Sequence, residues 1–261
     1  MRLHVLRCVL ASTHYFLTRF LHSSLQVHGQ FGIFANGDPI DYAATTGKAR
    51  LRYQRARNFD YEGVKTKFIY EKLCRLSQSS SIETVCEIGF NAGLSAILML
   101  EAAKSATVWS FDLGDFKWAR RADQLVQQAY GRRRFPGVVF GDSTRTIPSI
   151  ARRSPNFTCD AGFIDGSKEY KGRLAHFHTM RTISHPGIRV FLDEVTSMEC
   201  MNGTFTSDDE HAARCMRFNP AYYPASLAHN HAVLQGLMRV IECDWPVHYK
   251  NTDGICLAEL L

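Results

Sequence analysis

The sequence predicts an α/β fold with a doubly wound, mostly parallel sheet, helices on both of its faces and an antiparallel C-terminal hairpin. Three observations lead to this prediction. Short apolar runs typical of buried strands alternate with stretches of helical spacing through the middle of the chain. A glycine-punctuated turn at residues 89–93 follows the first clear strand. Two further strand-like runs close the chain with a short polar segment between them, as in a hairpin.

The composition divides the 261 residues into three parts. Residues 1–37 hold several arginines but no acidic residue, so we expect an N-terminal extension that is a targeting segment or a docked amphipathic helix. Arg7 and Arg19 interrupt its apolar positions, and a membrane-spanning helix is therefore not expected there. Residues 38–80 are expected to form N-terminal cap helices, and residues 81–261 the main domain with the sheet.

The predicted elements follow one another in a regular order. Apolar side chains recur at intervals of three to four residues over 61–76, which predicts a helix. The predicted parallel strands cover residues 84–88, 107–111, 137–140, 161–164 and 188–192. The helices that are expected to cross between them cover residues 94–104, 118–130, 144–153 and 172–183. The hairpin strands are expected within residues 237–249 and 254–261.

Charge and cysteine content narrow the classes of function. The net charge of +6 is modest, and only residues 48–57 combine dense basic charge with aromatic side chains. We interpret that segment as a solvated helix face, so a nucleic-acid partner is not expected. The eight cysteines show no CxxC pair and no regular spacing, which argues against a disulfide framework or a zinc site and favours a reducing compartment. We expect an intracellular, cytoplasmic protein, or a mitochondrial or membrane-associated one if residues 1–30 direct it there.

Each of the five predicted parallel strands has a carboxylate at its end or directly after it. In such sheets a ligand binds beyond the carboxyl ends of the strands, so the residues that come next are the candidates for a binding site. A single Asp in this place is usually a helix cap. Because all five strands have an acidic residue there, the pattern indicates a shared binding site. The residues are Glu87, Asp112, Asp142, Asp165 and the neighbouring Asp193 and Glu194.

The turn after the first strand does not match the known phosphate-binding loops. In a dinucleotide fingerprint, Asn91 and Leu94 would both have to be glycine. A P-loop requires a Gly-Lys pair, and Gly93 is followed by leucine. The pattern that is present runs from Glu87 to Ser95 and reads E-x-G-x-x-x-G-x-S.

This pattern resembles the first motif of the class I S-adenosylmethionine-dependent methyltransferases, which have a Rossmann-like fold. The later strand ends match that family in order, over about residues 60–261. The resemblance implies that residues 81–261 bind S-adenosylmethionine, that Asp112 accepts hydrogen bonds from the ribose hydroxyls, and that Asp142 and Ser143 border the adenine. The other cofactor-binding residues that it implies are Glu87, Gly89, Phe90, Asn91, Gly93, Ser95 and Asp165.

Within that class, "IDGSKEY" and "LDE" are most similar to the catechol and caffeoyl-CoA type of O-methyltransferase, which act on small molecules. The resemblance implies that Asp165, Asp193 and Glu194 hold Mg²⁺ or another divalent cation, with oxygen ligands that suit a hard ion. It also implies that Lys168 is the base, with Asp165 beside it. The catechol-type enzymes typically have Asn at the position of Glu194. A related group with the pattern FIDG-x-H-x-Y matches about equally well, and the requirement for a metal stays open.

Other interpretations of the sequence remain. The acceptor could be nitrogen on a small molecule or a protein, since nitrogen needs less base and no metal, or the chain could bind the cofactor without catalysis. Trp118 is expected in the core, with a place beside the adenine as the alternative. His229 and His231 are expected to be loop or surface residues, because a spacing of two does not suit one helix face. The sequence predicts no oligomeric state.

Overall fold

The computed structural model describes residues 67–195, 223–244 and 254–261. The predictions for the N-terminal extension, for residues 48–57 and for most of the cap helices lie outside the described residues. In chain order, the described elements are α1 (residues 67–79), β1 (Thr84–Ile88), α2 (Leu94–Ala102), β2 (Thr107–Asp112), α3 (Ala119–Tyr130), β3 (Val138–Phe140), α4 (Ser143–Arg153), β4 (Cys159–Ile164), α5 (Tyr170–Arg181), β5 (Ser184–Val195), α6 (Tyr223–Leu234), β6 (Met238–Asp244) and β7 (Gly254–Leu260).

The seven strands form one sheet in the order β3-β2-β1-β4-β5-β7-β6. Strands β1 to β5 pair in parallel, whereas β7 runs antiparallel to both of its neighbours, β5 and β6. The predicted fold class is therefore confirmed, including the C-terminal hairpin. The parallel strands require crossover connections, and the intervening helical stretches supply them.

Two apolar clusters pack against the two faces of the sheet. Successive residues of β1 contribute to different clusters: Val85 to one, Cys86 and Ile88 to the other. Burial on both faces explains why this strand reads as a nearly continuous apolar run. Each large apolar side chain that is fully buried contributes about 1.5–3 kcal/mol of hydrophobic stabilisation, so the central strands form a rigid platform for the residues at their ends.

The order of the strands creates a crevice beside β1. From β1 the chain moves outward through β2 and β3, and it then returns to β4 on the opposite side of β1. Loops that leave β1 and β4 in opposite directions open a cleft at their carboxyl ends, where ligands bind in this class of fold. Backbone bonds hold the strand ends together there: Gly89 N donates to Phe111 O at 2.8 Å, and Asp165 N donates to Ile88 O at 2.8 Å.

Two disulfide bonds in the described structure contradict the expectation that the cysteines form no such framework. Cys86 in β1 pairs with Cys159 in β4, 73 residues further along the chain. Cys243 and Cys256 pair across the hairpin, where they occupy opposite positions of β6 and β7. Irregular spacing in the sequence did not indicate these bonds, because sheet pairing brings together cysteines that are far apart or on opposite hairpin strands.

Helix α6 was not predicted from the sequence. It runs beside α5 and β5 and carries both histidines that were expected in a loop or on the surface. That expectation is wrong for His229, which is completely buried, whereas His231 is partly buried and hydrogen-bonds through Nδ1 to the Tyr170 hydroxyl at 2.6 Å. Among the described helices, none is both long and apolar enough to cross a lipid bilayer.

Candidate functional site

The glycine loop between β1 and α2 has a backbone that other residues cannot easily adopt. Gly89 has a φ of 102°, and a Cβ there would lie 2.4 Å from the carbonyl oxygen of Asp165. Gly93 caps α2 with a φ of 80°, and a Cβ there would lie 2.8 Å from the Phe90 ring. Asn91 also has a positive φ, of 48°, a conformation that Asn tolerates better than most residues. The loop is therefore closely packed against the start of the β4–α5 loop.

The carboxylate of Asp112, at the end of β2, holds this loop in place. Its Oδ2 accepts hydrogen bonds from the backbone N–H groups of Phe90 and Asn91, each at 2.9 Å. Its Oδ1 accepts from the N–H of Gly114 at 2.7 Å. An ionised carboxylate offers about four acceptor positions, so three backbone donors leave capacity for a ligand hydroxyl. Asp112 is partly exposed, as that role requires.

Glu87 lies under the glycine loop and not on its surface. The residue is fully buried, and its carboxyl group accepts hydrogen bonds from the hydroxyls of Ser95 and Ser110, the latter at 2.5 Å. Burial raises the pKa of Glu87 to about 8, although the two serine hydroxyls act in the opposite direction. Glu87 therefore joins β1, β2 and the start of α2, and its predicted place at the cofactor stays a prediction.

The raised pKa predicts that Glu87 makes the stability of the protein depend on pH. Because the folded state holds the proton up to about pH 8 while the ordinary value is 4.5, the stabilisation is fully present below pH 4.5 and is lost as the pH rises through 8. We expect the free energy of unfolding, measured in urea, to fall by roughly 3–5 kcal/mol more in the wild type than in Glu87→Gln over this range. Equal pH slopes for the two proteins would contradict the assignment.

The third strand end forms a helix cap. Asp142 precedes α4 and accepts hydrogen bonds from the backbone N–H of Thr144 at 2.9 Å and from its hydroxyl at 2.7 Å. Both hydrogen bonds lower the pKa of Asp142, and the bond from the Thr144 hydroxyl has the larger effect. Asp142 is exposed and Ser143 is buried. The cap explains why an acid occurs here, and the predicted place of both residues beside an adenine remains a prediction.

The ends of β4 and β5 bring together the acidic residues that were predicted as metal ligands. One carboxylate oxygen from each of Asp165, Asp193 and Glu194 lies within 4.8 Å of the other two. The Lys168 ammonium contacts two of the three: its Nζ lies 2.7 Å from Asp165 Oδ1 and forms an ion pair with Glu194 Oε1. Burial lowers the pKa of Lys168, but these two carboxylates raise it, and the net shift is upward.

Arg173, in α5, is a member of this cluster that was not predicted from the sequence. Its side chain is completely buried. Nη1 donates to Ile164 O at 2.7 Å, Nε donates to Ser167 O at 2.9 Å, and Nη2 pairs with Glu194 Oε2 at 2.8 Å. Buried arginines are rare unless paired, but in the sequence an arginine within a helix resembles any surface residue. No signal along the chain could have identified it.

Glu194 has both an unusual backbone and an unusual environment. Its φ is 61°, in the left-handed region that residues other than Gly, Asn and Asp seldom adopt. Burial and the neighbouring Asp165 carboxylate raise the pKa of Glu194, while the charges of Lys168 and Arg173 oppose that shift. Its two carboxylate oxygens are divided between the two cations, Oε1 facing Lys168 and Oε2 facing Arg173.

Apolar side chains lie exposed beside Asp112. Leu113 is 62% exposed and Phe116 is 47% exposed. The Phe116 ring stacks on Trp118 with their centroids 4.7 Å apart, and the Trp118 indole donates to Asn91 Oδ1 at 2.7 Å. Trp118 is only partly buried, so the expectation that it belongs to the core is wrong, and it supports the glycine loop instead.

Comparisons with known proteins agree with this geometry. Residues 86–195 match a protein family described as a methyltransferase domain. An O-methyltransferase from Bacillus cereus, solved in complex with S-adenosylhomocysteine, has 18% sequence identity and a TM-score of 0.59, and the match covers 93% of this chain and 90% of that one. No curated protein matches the sequence.

A second solved structure of similar fold is the O-methyltransferase from Streptomyces achromogenes that is involved in tomaymycin synthesis, in complex with S-adenosylmethionine. It has 17% identity and a TM-score of 0.56, and the match covers 93% of this chain and 89% of that one. At such identities the likeness establishes the fold alone. Family and fold together confirm the resemblance to class I S-adenosylmethionine-dependent methyltransferases.

Proposed function

We propose that this chain, which has the class I S-adenosylmethionine-dependent methyltransferase fold, transfers a methyl group from S-adenosylmethionine to an oxygen of a small-molecule acceptor. One observation carries the proposal: the glycine loop, the Asp112 carboxylate and the cluster of Asp165, Lys168 and Glu194 all lie at the carboxyl edge of one sheet. The proteins of similar fold from Bacillus cereus and Streptomyces achromogenes are O-methyltransferases with this cofactor or its product bound, which supports the same chemistry.

The cofactor is assigned to the crevice at the carboxyl ends of β1 and β4, bordered by the glycine loop and Asp112. Asp112 has acceptor capacity left for the ribose hydroxyls. The exposed side chains of Leu113 and Phe116 offer an apolar surface for the adenine ring beside it. Gly89 and Gly93 let the loop pack tightly, because a Cβ at either position would clash with the Asp165 carbonyl oxygen or the Phe90 ring, and we assign the methionine part of the cofactor to the backbone of this loop.

The acceptor hydroxyl is assigned to the cluster at the ends of β4 and β5. The methyl group passes from the sulfonium sulfur to the acceptor oxygen, so that a C–S bond breaks, a C–O bond forms and S-adenosylhomocysteine leaves. We assign the hydroxyl proton to Lys168, which Asp165 holds at 2.7 Å. Because two carboxylates keep Lys168 protonated in the present arrangement, it can accept a proton only when another positive charge neutralises them.

A divalent cation such as Mg²⁺ would supply that charge. Asp165, Asp193 and Glu194 offer one oxygen each within 4.8 Å of one another, and such oxygen donors fit a hard cation. When bound, the ion would lower the pKa of the acceptor hydroxyl and help to orient it. The protein residues would still hold the acceptor against the cofactor, and Lys168 would still receive the proton.

Binding of S-adenosylhomocysteine to an Asp112→Asn variant tests the cofactor assignment. We expect its affinity, measured by calorimetry, to fall about 10- to 100-fold, because hydrogen bonds to a charged group contribute roughly 1.5–3 kcal/mol. The control is Asp115→Asn, which removes the same charge from an exposed position of the same loop, and it should bind within a factor of about 3. Millimolar or weaker binding to the wild type would contradict the proposed function.

Exhaustive chelation tests the role of the cation separately. We expect the rate of methyl transfer to phenols and catechols to fall at least about 10-fold and to recover when Mg²⁺ is added back. An unchanged rate would exclude the cation while leaving methyl transfer intact. Transfer only to amines would favour the nitrogen-acceptor alternative, and cofactor binding without turnover on a broad metabolite panel would favour a non-catalytic binding module.

A further inference from the structure

The buried Arg173 joins the three parts of the chain that make up the acidic cluster. Its guanidinium donates to Ile164 O at the end of β4, to Ser167 O in the β4–α5 loop, and to the Glu194 carboxylate at the end of β5. The loop between the first two contacts carries Asp165. One side chain therefore bridges the two strand ends that supply the predicted metal ligands.

Charge accounts for the presence of an arginine here. The catechol-type pattern has two aspartates and a neutral Asn, with a formal charge of two negative units, whereas this chain has Glu194 in the third position. An additional buried carboxylate without compensation would be strongly unfavourable. The guanidinium of Arg173 carries a positive charge and has no exposed surface, so its charge cancels the charge that Glu194 adds.

We infer that Arg173 is a positioning residue that pairs with Glu194 to replace a neutral amide ligand: it holds Glu194 Oε2, so that a divalent cation would bind Oε1 and take the place that Lys168 has there in this structure. This inference rests on the proposed function. Oε2 is held by Arg173 at 2.8 Å, while Oε1 forms an ion pair with Lys168. One oxygen of Glu194 lies within 4.8 Å of oxygens of Asp165 and Asp193. The pair restores the formal charge of the catechol-type site, and it fixes which oxygen of Glu194 points inward.

The backbone of Glu194 provides an independent reason to regard the pair as a substitution for Asn. Its φ of 61° lies in the left-handed region, where Asn is tolerated and Glu is strained. An Asn therefore suits this position locally, and the glutamate persists because Arg173 requires a partner. The two residues are thus expected to depend on each other, and changing either one alone should destabilise the folded protein more than changing both.

A double-mutant cycle with Glu194→Asn, Arg173→Met and the combined variant tests this dependence. The readouts are Mn²⁺ binding by electron paramagnetic resonance, S-adenosylhomocysteine binding by calorimetry, and unfolding in urea. We expect Glu194→Asn to bind Mn²⁺ at least about 10-fold more weakly, because the site keeps the arginine charge but loses a carboxylate. Arg173→Met should bind Mn²⁺ at least as tightly as the wild type, since its charge becomes more negative.

The combined variant should bind Mn²⁺ within about 3-fold of the wild type and should unfold at a higher urea concentration than either single variant. Arg181→Met, an exposed change on the same helix, serves as the control and should alter none of the readouts. Additive effects of the two changes on the unfolding midpoint would overturn the pairing. Should a single variant not fold, recovery of folding in the combined variant supports the pairing, and failure to recover overturns it.

The three readouts separate this inference from the proposed function. The wild type and all variants could fail to bind S-adenosylhomocysteine while the effects of the two substitutions on the unfolding midpoint remain non-additive. That result would contradict the methyltransferase proposal but not the pairing of Arg173 with Glu194. A wild type that does not bind Mn²⁺ would overturn the part of the inference that concerns the cation.

Discussion

Substitution of Gly89 by Ala is expected to abolish cofactor binding and to destabilise the protein strongly. The new Cβ would lie 2.4 Å from the carbonyl oxygen of Asp165, which directly follows β4 and is held by the hydrogen bond from its N–H to Ile88 O. The backbone φ of 102° is in addition unfavourable for any residue with a side chain. A positive φ costs about 1–2 kcal/mol by itself, and the clash brings the expected loss of stability to roughly 3–5 kcal/mol.

Urea unfolding and calorimetry with S-adenosylhomocysteine measure the two effects of Gly89→Ala. We expect the affinity to fall at least about 100-fold, equivalent to roughly 2.7 kcal/mol, because the β1 and β4 loops must separate to admit the methyl group of the alanine.

The matched control is Gly131→Ala. Gly131 also has a positive φ, of 75°, but a Cβ there would have no atom within 4 Å. It should lose only about 1–2 kcal/mol of stability and keep its affinity for the cofactor product. Equal effects at the two glycines would show that backbone strain, and not the contact with Asp165, governs the loop.

Substitution of Lys168 by Met is expected to have the largest effect on catalysis. The side chain length is kept, but the group that is assigned to receive the hydroxyl proton is removed. General acid–base catalysis contributes about 10²- to 10⁴-fold to rates, so we expect kcat for methyl transfer to a catechol to fall within that range. The affinity for S-adenosylhomocysteine should stay within about 10-fold of the wild type, because the cofactor is assigned to the other side of Asp165.

Initial rates of S-adenosylhomocysteine formation across a range of pH provide the measurement. The rate of the wild type should rise with pH as Lys168 loses its proton, and the Lys168→Met variant should lack that rise. The control, Lys171→Met, changes an exposed lysine in the first turn of α5 and should keep both the rate and its pH dependence. If Lys168→Met retained the wild-type rate, another group would have to be the base.

Features that repeat along the chain were predicted correctly. The alternation of apolar strands with helical stretches predicted five parallel strands, and the structure has β1 to β5 at nearly the same residues. Asp165, Asp193 and Glu194, which the resemblance assigned to one metal site, lie close together, and their role as ligands stays a prediction. The strand ends meet because a parallel sheet places the carboxyl ends of its strands at one edge, whatever the lengths of the connections.

The burial of side chains that pack against another helix or loop was predicted wrongly. His229 was expected at the surface, yet helix α6 packs against α5 and buries it. Trp118 was expected in the core, yet it is partly exposed and its indole N–H donates a hydrogen bond to Asn91 in the glycine loop. In each case the residue type is compatible with several environments, and the packing of a second element decides among them.

By itself, the sequence determined the fold class, the glycine loop and the set of acids at the strand ends, because periodicity and chain order carry that information. Only the tertiary structure decided what those acids contact. It placed the buried Arg173 against Glu194, put Glu87 beneath the loop, and directed Lys168 to the carboxylates of Asp165 and Glu194. Such contacts join residues from separate elements, and burial strengthens their interactions in a way that no local pattern records.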